Sequence, residues 1–137
     1  MKSIIPHGSS RNGERHAVLI AGRGPLAGCV RVASGFGSRL RGLLGTRALA
    51  PGQGLLLVPC TSIHMFFMSI PLDVAFLADD GVVVALYNNI RPWRMSRLHP
   101  EAFAALELAA GTFEAAGLRR GDRLEFTQVM SSEKSTG

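Results

Sequence analysis

One stretch restricts the possible folds more than any other: residues 72–88, LDVAFLADDGVVVALYN. Two apolar arms rich in β-branched and aromatic residues flank Asp79-Asp80-Gly81. Asp-Gly readily takes the left-handed backbone angles of a tight hairpin loop, so Leu72–Ala78 and Val82–Asn88 are expected to pair antiparallel. The 137 residues also hold 16 glycines and 7 prolines. That many turn-formers favour a β-rich domain over a helical bundle.

The rest of the chain fits this frame. His16–Ala21 and Cys29–Ala33 are short β-type runs separated by Gly22-Arg23-Gly24-Pro25, a turn. Gly54–Val58 and Ile63–Met68 are expected as strands, and Arg123–Thr127 as the last one. Ala104–Leu108 is taken as a strand, although 101–110 has enough helix propensity to compete. Ser34 suits the cap of a helix over 36–44, with Phe36, Leu40, Leu43 and Leu44 on one face and Gly45 at its end. Thr112 suits the cap of a second short helix closed by Gly117. The expected class is α+β: a β-rich single domain with a small barrel-like or strongly curled, mixed or antiparallel sheet and two short helices. The domain is expected over 16–128, with flexible arms at 1–15 and 129–137.

Composition narrows the function. Net charge is +5, but the 15 basic residues are scattered, and one Tyr and one Trp leave little to stack bases, so nucleic-acid binding is not expected. No apolar run reaches the roughly 20 residues that cross a bilayer. Leu26-Ala27-Gly28-Cys29 has the outline of a lipoprotein cleavage box, but Arg23 interrupts the apolar run before it, so lipid anchoring at Cys29 is not expected. Cys29 and Cys60 alone make no disulfide framework, and a cytoplasmic location is the default.

Residues 60–76, CTSIHMFFMSIPLDVAF, concentrate the candidate chemistry. On a straight strand Cys60, Ser62, His64, Phe66 and Met68 share a face. Cys60 and His64 would then stand about 13 Å apart, whereas two ligands of one zinc ion lie roughly 3.5–4 Å apart. Met65 and Met68, which would suit Cu(I), point to opposite faces. No metal is assigned. Cys60 and His64 are the candidate nucleophile and base of an enzyme, with no oxyanion-hole motif beside them. Asp73 interrupts an apolar strand, where a carboxylate needs a partner: Arg91, Arg94, Arg39, Arg41 or backbone N–H groups. Trp93, between Pro92 and Arg94, could serve as a ligand platform.

Several motifs together resemble one family. Arg41-Gly42-Leu43-Leu44-Gly45, Gly54-Leu55-Leu56-Leu57, Phe66-Phe67-Met68, Ile70-Pro71-Leu72-Asp73-Val74-Ala75-Phe76, Leu106-Glu107-Leu108 and Gly117-Leu118-Arg119-Arg120-Gly121-Asp122-Arg123-Leu124 follow the order seen in the domain of unknown function family 192, DUF192. The resemblance covers about 30–126 and implies a small barrel-like β domain without an established activity. The leading expectation is a non-enzymatic module for an unknown small molecule, with a cleft near 60–73 and 91–97. Its contacts would be Asp73, His64, Trp93, Arg91 and Ser62. The alternatives are an enzyme using Cys60 and His64, or a structural or interaction domain. No cofactor is expected, and the chain is taken as monomer or homodimer.

Overall fold

The computed structural model describes residues 5–6, 13–34, 49–62, 70–91 and 94–129. Seven strands form one curled sheet: β1 (Arg15–Ile20), β2 (Gly24–Ser34), β3 (Gln53–Val58), β4 (Leu72–Leu77), β5 (Val83–Ile90), β6 (Ala104–Ala109) and β7 (Leu124–Gln128). Their spatial order is β5-β4-β6-β3-β2-β1-β7. All neighbours are antiparallel except β2 and β3, which run parallel.

The expected hairpin is β4–β5, with Phe76 opposite Ala85. Its loop is closed by Ala78 N–H to Val82 O at 2.9 Å and by Val82 N–H to Asp80 Oδ1 at 3.1 Å. Gly81 has φ +90°, and a Cβ there would collide with the carbonyl oxygen of Leu124. Only glycine allows that approach. The approach matters because it brings the two sheet edges together. Val83 N–H reaches Asp122 O and Gly121 N–H reaches Val83 O, both at 2.8 Å. The sheet is thus a half-barrel whose edges meet at one corner.

Alternation sorts the side chains onto two faces. Val18, Val30, Val32, Leu56, Ala75, Leu77, Leu106 and Leu108 fill the inside of the curl, together with Ile5, which lies within the expected N-terminal arm. Helix α1 (Thr112–Ala116) adds the wholly buried Phe113 to this core. The second face carries Leu55, Leu57, Leu72, Val74, Phe76 and Ala105, also buried. Both faces being covered explains why β4 is buried at every position and, Asp73 apart, apolar throughout instead of alternating.

α1 is not capped by Thr112. Gly111, at φ +92°, occupies the cap position and has no side chain to bond the first turn; a first-turn amide, Phe113 N–H, is taken instead by Asp73. Gly117 closes the helix at φ +68°, as expected. The helix expected over 36–44 and the strand expected over 63–68 lie outside the described residues.

Candidate functional site

Strand register lays out the second face as rows. One row runs Arg31, Leu55, Glu107, Val74, Tyr87 across five strands. Leu55 and Val74 flank Glu107 on either side, and both are wholly buried. Glu107 is itself at 0% exposure, and neither carboxyl oxygen has a hydrogen-bond partner among the described residues. Burial raises its pKa from 4.5 to about 8, because apolar surroundings penalise the charged form. At neutral pH the group is therefore a carboxylic acid, able to donate one hydrogen bond and accept others.

Two strands away, roughly 10 Å at the spacing of paired strands, Tyr87 ends the row. Its hydroxyl accepts a hydrogen bond from Arg97 N–H at 3.0 Å and meets His99 Nε2 at 2.8 Å. With the Arg97 amide donating to it, the hydroxyl keeps one proton to give and one lone pair to accept with, so it can serve either tautomer of His99. Phe76 supports the pair from below, with ring centroids 4.7 Å from His99 and 5.8 Å from Tyr87.

Residues 60–61 lie beside the far end of the β5–β6 loop, past the expected 91–97 stretch. His99 N–H donates to Thr61 O at 2.8 Å, and Cys60 N–H donates to Phe103 O at 3.0 Å. Ser62 is exposed at this junction, and Arg91 is exposed where β5 enters the following loop. Cys60 is buried in the second-face cluster, and its thiol donates to Ser62 O at 3.0 Å. His64 and Trp93 lie outside the described residues.

Asp73 is placed elsewhere than its expected companions. It pairs with Leu108 on the inner face, opposite to the face of Cys60 and Tyr87. Wholly buried, it accepts Asn89 N–H on Oδ1 at 2.7 Å and Phe113 N–H on Oδ2 at 2.9 Å. Backbone amides, not arginines, are its hydrogen-bond partners in these two contacts. Asn89 has φ +60° and sits where the β4–β5 register shifts, so Asp73 fixes the irregularity from which β5 runs out towards Arg91.

Glu107, Tyr87 and His99 were not expected as site residues. Glu107 had a legible signal: a single acid within a buried apolar strand, the same signal that drew attention to Asp73. Tyr87 and His99 are joined only by the fold. A separate open groove of about 510 Å³ lies between the Pro51-Gly52 turn and α1, and none of the expected site residues lines it. Among the described residues no three His, Cys, Asp or Glu side chains are grouped to hold a metal ion, and no helix is long and apolar enough to cross a membrane.

The sequence profile of DUF192, described as "Uncharacterized ACR", matches residues 18–126. A UPF0127 protein of Thermococcus sibiricus is 33% identical over 103 residues, 72% of this chain and 66% of that relative. The chain therefore spans just under two thirds of that relative's length. A crystal structure of a "putative transcription regulator" from Sinorhizobium meliloti 1021 is similar at a TM-score of 0.68 and 30% identity, covering 87% of this chain and 98% of that one. A protein of unknown function from Novosphingobium aromaticivorans shares the fold at a TM-score of 0.69 and 21% identity, over 88% and 91% of the two chains.

Proposed function

The chain belongs to the DUF192 family, and from that premise we propose that it is a non-enzymatic small-ligand-binding module. Its site is the second face of the sheet, where the 60–62 segment and the 91–99 loop come together. The observation that carries this reading is Glu107, a wholly buried carboxyl without a hydrogen-bond partner among the described residues. Such a group is expensive to keep, and buried polar groups left unsatisfied concentrate where a ligand completes them.

Val74 and Phe76, both wholly buried, lie between the Glu107 carboxyl and the Tyr87–His99 pair, so a ligand admitted to this face would have apolar surroundings with a polar group at each end. This is the usual make-up of a small-molecule site, mostly apolar with a few directing polar groups. Ser62, Arg91, His64 and Trp93 are its proposed rim contacts. Asp73 acts by positioning the end of β5. Cys60, whose thiol proton is directed at a backbone carbonyl, is assigned no reaction.

The test is a thermal-shift screen of a broad panel of small amines, amides and carboxylates on wild type, Glu107→Gln and Tyr87→Phe. A ligand at one hundred times its Kd stabilises by about 2.7 kcal/mol. The reading predicts at least one compound that stabilises wild type and loses that effect in both variants. A panel without any shift, or shifts that survive both substitutions, overturns it.

A further inference from the structure

The loop from β5 to β6, which lends Arg91 to the proposed ligand site, carries a second feature on its outward side. Arg91, Arg94 and Arg97 are all exposed. Met95 and Leu98 lie among them at 64% and 66% exposure, the most exposed large apolar side chains of the described residues. No Asp or Glu occurs from Gly81 to Pro100, so this positive charge is uncompensated along the chain.

The loop is pinned from within. Arg94 N–H bonds Arg91 O at 3.2 Å, Arg97 N–H bonds Tyr87 Oη at 3.0 Å, and His99 N–H bonds Thr61 O at 2.8 Å. Ser96 is buried, and its hydroxyl donates to Arg97 O at 2.9 Å. With the backbone and Ser96 turned inward, the arginines, Met95 and Leu98 are presented outward.

We propose that this loop docks the protein on an anionic phospholipid surface. Guanidinium groups pair with phosphate in two-pronged geometry, and Met95 and Leu98 enter the boundary between headgroups and acyl chains. The apolar pair decides between anionic partners. A phosphodiester backbone offers Met95 and Leu98 nothing apolar to enter, whereas a bilayer interface satisfies both halves of the patch. Each basic residue at an anionic leaflet strengthens partitioning roughly fivefold, so the attachment is reversible and sensitive to salt.

Co-sedimentation of the full chain with vesicles tests this. One set is pure phosphatidylcholine; the other contains about 30 mol % phosphatidylglycerol. Wild type is expected to sediment with the anionic vesicles only and to be released by salt. Arg94→Gln with Arg97→Gln is expected to weaken binding roughly 25-fold, and Met95→Ser with Leu98→Ser to weaken it with little change in salt dependence. Both double variants lie on the surface, and unchanged thermal melting verifies their fold. Absence of binding to anionic vesicles, equal binding to both vesicle types, or binding untouched by the substitutions overturns the proposal. So does a duplex DNA fragment that binds through the same arginines while vesicles do not.

Discussion

Oδ2 of Asp73 accepts a hydrogen bond from the backbone N–H of Phe113 at 2.9 Å, across 40 residues of sequence. With the Asn89 bond on Oδ1, one buried side chain ties together the β4–β5 irregularity and the first turn of α1. Asp73→Ala strands the buried Phe113 N–H and the part-buried Asn89 N–H and empties the Asp73 site, and a buried unsatisfied group alone costs about 1–3 kcal/mol. Asp73→Ala is therefore expected to lose about 3 kcal/mol or more in urea unfolding. Asp73→Asn, which keeps one acceptor oxygen, is expected to fall between it and wild type.

Glu107 makes the stability depend on pH with a definite sign. The folded chain holds the proton until about pH 8, while the ordinary value is 4.5. Between those values the native state binds more protons than the unfolded state, so stability falls as pH rises. The contribution is fully present below pH 4.5, declines by up to roughly 1.4 kcal/mol per pH unit, and is lost above pH 8. Glu107→Gln removes this slope. Denaturation curves at acid and alkaline pH are expected to show the variant gaining on wild type as pH rises, with most of the gain complete by pH 8.

The two edges of the sheet meet at Gly81. An alanine there would carry a Cβ into the Leu124 carbonyl at φ +90°. Gly22 has φ +80° and open space around it. Gly22→Ala is expected to lose about 1 kcal/mol from backbone strain alone, and Gly81→Ala at least twice that. Equal losses in chemical denaturation would contradict the closure described here.

Tyr87→Phe removes the acceptor of the Arg97 amide and the partner of His99. The expected loss is about 1 kcal/mol, with faster hydrogen exchange at the Arg97 amide as its local signature.

The hairpin was legible because its signals are local: an Asp-Gly loop between two arms of strand-forming residues. The curled sheet followed from short β runs and turns. The parallel pairing of β2 with β3 was not legible, since nothing in either strand names a partner reached through the intervening residues. The same holds for Tyr87 and His99, and for the choice of amides over arginines by Asp73. Thr112 misled because a hydroxyl residue at a helix start suggests a cap, whereas Gly111 can take the left-handed angle and displace the start by one residue. Asp73 and Glu107 posed the same question, a carboxyl on an apolar strand, and the fold answers it in two ways. Asp73 is satisfied by backbone. Glu107 is left without a partner among the described residues.

That contrast rests on the state of one carboxyl group, which can be observed directly. Carbon-13 NMR titration of the side-chain carboxyls, with the Glu107 signal assigned by its absence in Glu107→Gln, measures it. The account predicts a midpoint near pH 8 for this signal. A midpoint near 4.5 would mean a solvated or partnered carboxylate and would remove the anchor from the proposed site.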